Sequence, residues 1–471
     1  MTILQESQVS FERMSMCKFR IPAFFFACLL CALNTYAGTE DIRLDRGKTR
    51  EIALDYSKQL KISKARLDQA FLREDIARAA QLPGLSAAGL YFYSPDELGF
   101  MLDPLFLIGM ESGLPDIIHE VVPDIDLSVG LEGVTMAGIE MDQVIYAGGR
   151  VRIARQMAST GTSLASLDIE LNTTEVIALA DAAYYQYVST LEKEKAAEKY
   201  LDLLEELVET VSDSKEAGMV TRNDLLKVKV ERNEATLALQ MARSGKELAR
   251  MDLCRILGLP LHTPLETTAV EKISREDIMP LEQYDQRIAK RPEYQMLEKA
   301  IELSEQRERK VRAAMFPEVG LRAGYNYLGG IEIGGKTSEN TSLSAMALVR
   351  IPIFNWGEKR HALDMARIDK EVAQLEKADA AKLLQLEMAS ERFMLEDALT
   401  RLELTRQALE QAEENLETSQ DKFNEGKETL TDLLEAQAQW QSAYSNQIEA
   451  RASVNVRETM YLKAIGELTV P

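Results

Sequence analysis

Apolar residues recur along this chain in two rhythms, and each rhythm occurs twice. A period-two rhythm sets Val319, Leu321, Ala323, Tyr325 and Tyr327 against Glu318, Gly320, Arg322, Gly324 and Asn326. The returning segment places Leu343, Ala345, Ala347, Val349, Ile351 and Ile353 on one side. The first half has Leu85, Ala87, Gly89, Tyr91 and Tyr93, followed by Ala137, Ile139 and Met141. Alternation of this kind is the signature of a strand. Each half is therefore predicted to hold two strands of about ten residues with one apolar face, the length a tilted membrane strand needs. Tyrosines gathered at a strand end suit an interfacial girdle. Taken alone, the alternation also fits a half-buried hairpin in a soluble sheet.

The second rhythm is helical. It runs from about Asp45 to Gln81 and stops before Leu82-Pro83, where proline's missing N–H and its clash with the preceding turn end a helix. Residues 150–217 and 358–425 are each 68 long and contain no proline, which predicts helices of roughly 100 Å. Near their far ends Leu201, Leu204, Val208 and Val211, and then Leu409, Ala412, Leu416 and Ser419, keep the 3-4 spacing of a coiled-coil seam. Shorter return helices are predicted over 221–257 and 429–465, with a further piece over 285–316. Stacked end to end, a return helix and such a piece match a long helix in height, at roughly 55 and 48 Å. The linker 259–284, carrying Pro260, Pro264 and Pro280, is expected at mid-height as a belt.

The two halves keep one register. Ile145-Tyr146-Ala147-Gly148-Gly149 is echoed by Ile353-Phe354-Asn355-Trp356-Gly357, and Gly218-x-x-Thr221-x-x-Asp224 by Gly426-x-x-Thr429-x-x-Asp432, at a constant offset of 208 residues. Loops drift in length, so a register kept without insertion implies rigid elements that must match. Glycine suits the left-handed residue past a helix end, threonine caps the next helix, and the aspartate reaches back to the cap. A tight antiparallel helix hairpin is expected at each place. The first strand pair is longer than the second by 26 residues around Pro95 to Pro123, expected as an extra loop or plug-like segment.

Composition narrows the compartment and the chemistry. The net charge of −21 over 471 residues disfavours nucleic acid as a partner, because phosphates are repelled. Lys18 and Arg20, the apolar run Ile21–Leu33 and Thr35-Tyr36-Ala37 read as an export signal over 1–37, with 1–15 as surplus before a start at Met16. Cys17, Cys28 and Cys31 fall within it, so only Cys254 would remain, with neither a disulfide framework nor a thiol metal site. Phe25-Phe26-Ala27 before Cys28 is a poor lipoprotein box, so no acylated N-terminus is expected. His119, His262 and His361 are isolated, and no nucleophile elbow, phosphate loop or metal-spaced cluster is present. An enzyme, a cofactor and a bound metal are accordingly not expected.

With the joints Tyr146–Arg150 and Ile351–Gly357, the two glycine-threonine-aspartate-leucine turns and the closing Ala464-Ile465-Gly466-Glu467-Leu468, the chain resembles the TolC-like outer-membrane efflux proteins over about residues 45–471. The resemblance implies a mainly α fold with a small β part and a two-fold internal repeat. It also implies a homotrimer in which four strands per chain build one 12-stranded transmembrane barrel and long antiparallel helices form a periplasmic α-barrel tunnel. The organisation expected is a first repeat at 38–258, the linker at 259–284, a second repeat at 285–468 and a tail at 469–471. Such a protein is a passive exit duct in the outer-membrane lipid. It is supplied by a periplasmic adaptor and an inner-membrane pump of RND, ABC or MFS type, in efflux or type I secretion. The acidic ring at the periplasmic entrance would map onto Asp432 and Glu435, with carboxylates crowded enough to raise some pKa values. Asp224 has Lys227 as its companion and stays outside the ring. Adaptor docking would map onto Gly218, Val220, Thr221, Gly426 and Thr429. The competing expectation is a soluble periplasmic coiled-coil scaffold with its strands buried in a small domain. No residue distinguishes small molecules, metal ions or polypeptides as cargo.

Overall fold

Backbone geometry at a few capping residues sets where each rod of this molecule begins and ends. The computed structural model describes residues 42–93, 98–102, 125–130, 133–267, 284–333 and 336–468. The expected export signal, most of the Pro95–Pro123 segment, the latter part of the linker and the C-terminal tail lie outside them. A short strand β1 (Ile42–Leu44) leads into α1 (Arg46–Tyr56) and α2 (Lys58–Ala79). The single helix expected from Asp45 to Gln81 is thus broken. Ser57 leaves the helical region at φ −54°, ψ 118°, and its side chain accepts from Leu60 N to start α2. The next elements are β2 (Gly84–Phe92), β3 (Leu98–Leu102), β4 (Ile125–Gly130) and β5 (Val134–Ala147).

The long helix α3 (Arg150–Glu216) and the return helix α4 (Arg222–Leu257) follow. Strand β6 (Leu265–Thr267), α5 (Tyr284–Ile288) and α6 (Pro292–Ala313) come next. The helix expected over 285–316 is therefore split, because Pro292 holds Arg291 in an extended conformation at φ −72°, ψ 133°. Strands β7 (Glu318–Ile333) and β8 (Lys336–Arg350), α7 (Glu358–Asn424) and α8 (Leu430–Ala464) complete the chain. The helices α3 and α7 are 67 residues each, roughly 100 Å.

Strands β2, β5, β7 and β8 form a continuous antiparallel sheet in that order. The helices attached to them lie side by side in the same order, with α2 against α3, α3 against α6 and α6 against α7. Sheet and helices are therefore one layer, turned from β to α at a common height. The strands exceed the expected ten residues: β5 has 14, β7 16 and β8 15. Past a register shift between Leu328 and Ile331, the end of β7 pairs with β4. The β3–β4 ribbon thereby extends the sheet beyond its apolar stretch. The period-two pattern of Ile351 and Ile353 does not become strand. Pro352 has no N–H to donate, and β8 ends at Arg350.

Below the sheet the layer changes partners. α3 packs against α4 and α8, and α7 against α8. Leu204, Leu207 and Val211 of α3 meet Leu225 and Val228 of α4 and Leu430 and Leu433 of α8 in one buried cluster, so α3 is the central rod there. At mid-height β1 pairs in parallel with β6, and the Tyr187 hydroxyl donates to Leu265 O at 2.9 Å. Beside this contact lies a buried ionic knot. Asp181, 1% exposed, accepts from Arg50 at 2.6 and 2.8 Å, from Arg46 at 3.3 Å and from the Thr459 hydroxyl at 2.6 Å. It ties α1 and α8 to α3. Burial pushes the neighbouring Tyr185 phenol up to about 12.

Breaking one partner of such a knot leaves buried charge uncompensated. Asp181→Asn is expected to lower stability by about 3–5 kcal/mol, read as a lowered midpoint in thermal denaturation followed by circular dichroism. An unchanged midpoint would show that the knot contributes nothing net.

Candidate functional site: the two-faced sheet and the helix-hairpin tip

The sheet register sorts side chains by parity. Ser86 opposes Glu140, Asp142 opposes Arg322 and Asn326 opposes Ser342, so polar groups line up on one face. The Arg322 guanidinium donates to Asp142 at 2.7 Å, and Asn326 lies over Gly138, where an added Cβ would sit 2.3 Å from its Oδ1. A trough of about 380 Å³ on this side is lined by Met136, Glu140, Asn326 and Ser342 among others. The opposite face carries Leu85, Ile139, Tyr325, Leu343 and Val349, each roughly half exposed or more, Leu343 reaching 84%. Among the described residues, β2 and β8 each have one neighbouring strand, so both edges of the sheet are open.

Two glycine joints pass the chain from strand to helix. Gly148 (φ 63°) brings its backbone so close to Ala313 O that a Cβ would lie 2.3 Å away. The residue at the same place in the second half is Trp356, which adopts φ 48° with a side chain 89% exposed against the edge of Phe354. The offset of 208 aligns a tryptophan with a glycine there, and that mismatch is the sequence signal for this strained, protruding aromatic.

At the far end α3 closes with Gly218 N–H donating to Lys215 O and Met219 N–H to Ser214 O, the double bond of a left-handed helix stop. α7 does the same with Gly426 and Lys427 onto Phe423 and Lys422. Thr221 and Thr429 then begin α4 and α8 with reciprocal caps. Asp224 N–H donates to Thr221 Oγ1 at 3.2 Å while Asp224 Oδ2 accepts from Thr221 N–H at 3.1 Å and its hydroxyl at 2.7 Å. The corresponding distances at Thr429 and Asp432 are 3.3, 3.2 and 2.6 Å. Gly218, Thr221, Gly426 and Thr429 are exposed, whereas Val220 is half-buried against the apolar cluster behind the turn.

Asp432 and Glu435 are both exposed one turn apart, and Glu435 accepts from Gln439 at 3.2 Å. Within the protomer the Thr429 hydroxyl, then its N–H, hold the Asp432 carboxyl below the usual aspartate range. That direction is opposite to the rise expected from a crowded ring, because the local cap donates two hydrogen bonds to the charged form. Asp224 is lowered likewise by Thr221, and Lys227 sits 3.8 Å from it. Among the described residues no group of His, Cys, Asp and Glu is arranged to hold a metal ion, and no helix is long and apolar enough to cross a membrane.

A sheet with one apolar and one polar face thus runs on into a wall of long helices. The sequence model for outer membrane efflux proteins matches residues 283–467. The chain is 22% identical to the outer membrane efflux protein BepC of Brucella suis over 339 residues, 70% of this chain and 72% of BepC. It is 25% identical to the pyoverdine export outer membrane protein OpmQ of Pseudomonas aeruginosa over 429 residues, 88% of this chain and 83% of OpmQ. Its fold is similar to that of the Campylobacter jejuni CmeC outer membrane channel, with a TM-score of 0.71 at 17% identity over 90% of this chain and 85% of CmeC.

Two measurements follow from the tip. Folded-state values below the usual aspartate pKa mean that cap stabilisation is complete above about pH 4 and lost as pH falls through the lowered values. Protection of the Thr221 and Thr429 amides, taken relative to the intrinsic exchange rate at each pH, should hold at about pH 5 and fall only on further acidification; protection already lost at neutral pH would contradict the capping geometry. At Gly218 and Gly426 an added Cβ meets nothing within 4 Å, so the penalty on Gly218→Val and Gly426→Val comes from the φ values of 75° and 69°. Each should cost about 1–2 kcal/mol locally, and export should fall while the sheet still assembles.

Proposed function

We propose that this chain is one of three identical subunits of an outer-membrane exit duct, in which a 12-stranded barrel carries substrate out of a periplasmic helical tunnel. The observation that carries the reading is the four-stranded sheet: an apolar face, a polar face and two open edges. In hydrocarbon every backbone N–H and C=O must be paired, so such a sheet is viable only as a segment of a closed barrel. β2 of one copy and β8 of the next would complete the ladder, with the apolar face on lipid and the Asp142–Arg322 face on water. The equal long helices and the recurrence of joints and caps at one offset support a two-fold repeat in each subunit.

Substrate would enter at the tip. Asp432 and Glu435 from three chains would place six carboxylates around the mouth, with Asp432 already ionised by its cap. The exposed turns at Gly218, Thr221, Gly426 and Thr429 would receive the helical hairpin of a periplasmic adaptor, with Val220 acting as packing behind the surface. An inner-membrane pump would supply the energy. A soluble scaffold would leave the apolar sheet face wet, which disfavours that alternative.

Detergent extraction of outer-membrane fractions should yield a trimer that conducts in planar bilayers; a monomer recovered from the soluble periplasm would reverse the assignment. Asp432→Asn combined with Glu435→Gln should weaken block by a trivalent cation about tenfold, or ~1.4 kcal/mol. Block that persists at full strength would remove the acidic ring.

A further inference from the structure

We propose that the outer surface of the helical wall, just beneath the sheet, is a phosphate-binding belt for anionic phospholipid of the periplasmic leaflet, built from Arg152, Arg155, Arg309 and Arg360. The inference rests on the reading of the sheet as lipid-facing. Charge is the first observation. Residues 150–155, 307–318 and 350–361 hold ten Lys and Arg against three carboxylates, in a chain whose net charge is −21. These segments are the ends of α3, α6 and α7 that adjoin the strands, so a net positive charge of seven lies at one height. The fourth junction is neutral, with Arg73 and Arg78 against Glu74 and Asp75.

Direction is the second observation. Arg150 bonds Glu318 at 3.0 Å, and Glu318 pairs with Arg350 on the polar side of the sheet. On α3, Thr160 faces α6 and Thr162 faces α2. Arg152 and Arg155 therefore fall on the exposed arc opposite Arg150. On α6, Gln306 faces α3 and Glu308 faces Arg367 and Lys370 of α7. These contacts leave two free arcs, Arg307 with Lys310 and Arg309 with Arg312. α3 runs away from the sheet and α6 towards it. Following their right-handed turns, Arg309 comes to the side of Arg152 and Arg155, and Arg307 and Lys310 to the side of Arg150. On α7, Arg367 and Lys370 face Glu308 of α6, and the same right-handed turn puts Arg360 on the former side.

Depth and chemistry fit a headgroup layer. Arg152, Arg155, Arg309 and Arg360 stand within roughly 8 Å of the helix ends, and each headgroup layer is about 5–8 Å thick. All four are exposed, and the ion pairs at this height use other arginines, Arg312 with Glu308 and Arg367 with Asp364. Phe316 and Trp356, 51% and 89% exposed, sit between the apolar strands and the arginines. Hydrocarbon-facing strands, then aromatics, then cations is the order of a membrane boundary. The guanidinium fork matches phosphate oxygens two at a time.

The test is native mass spectrometry of the detergent-purified full chain, offered equal phosphatidylglycerol and phosphatidylcholine. Wild type should retain phosphatidylglycerol preferentially, and R152Q/R155Q/R309Q/R360Q should lose that preference at roughly fivefold per arginine until none is left. R307Q/K310Q, on the opposite arc, should keep it. Conducting wild-type protein without the preference, or an equal loss in R307Q/K310Q, overturns the belt and leaves the duct intact. Wild type that neither trimerises nor conducts overturns the duct itself. Should the fourfold variant not assemble, R152Q/R155Q must still reduce the preference at least fivefold, and an unchanged preference in that variant also refutes the belt.

Discussion

Unpaired backbone at the two edges of a four-stranded sheet is the constraint from which the rest of this architecture follows. Each strand has length enough to cross hydrocarbon, yet β2 and β8 each leave one row of N–H and C=O groups open. In lipid such a row costs several kcal/mol per group, and in water an apolar sheet with open edges is prone to aggregate. Both penalties vanish when identical copies close the ladder. Because strands and helices share one lateral order, closing the sheet also sets the helices side by side. The apolar stripe of Met365, Ile368, Val372 and Leu375 on α7 is exposed and lies away from α6, where the proposed assembly would cover it.

The wall is held together differently at its three heights. Near the sheet it relies on polar contacts between helices, such as Gln306 to Thr160 at 2.8 Å and Glu308 among Arg312, Arg367 and Lys370. At mid-height buried charge takes over. Asp181 is enclosed by Arg46 and Arg50, and Arg291, 2% exposed, lies between Glu293 and Glu387. At the tip the packing is aliphatic, and capping hydrogen bonds decide where the rods stop. The two halves are not equivalent at mid-height, since the position matching Asp181 at the offset of 208 is Ala389. The first half is thus tied through a buried acid, Asp181, and the second through a buried base, Arg291.

Much of this was legible in residue order. Two equal proline-free stretches, each closed by a left-handed glycine, set helices of 67 residues. The glycine-threonine-aspartate spacing determined both tip turns and their caps, because capping is local chemistry within one turn of helix. Parity determined which strand side chains share a face. Where local chemistry competes, the reading was less complete: Ser57 and Pro292 each divided a helix that looked continuous, and Pro352 ended a strand whose apolar alternation ran on.

Tertiary structure decided what residue order could not carry. The Asp181 knot joins residues 131 and 278 positions apart, and no spacing rule links an acid to partners so distant. The sign of the effect on Asp432 depended on its carboxylate turning back to Thr429. Which arginines beneath the sheet point outward depended on the helices lying beside α3 and α6. Sequence by itself specified the rods, their ends and their faces, since each depends on neighbours within a few residues. Their lateral order, and the charge that lateral order buries or leaves in solvent, arose only when distant segments met.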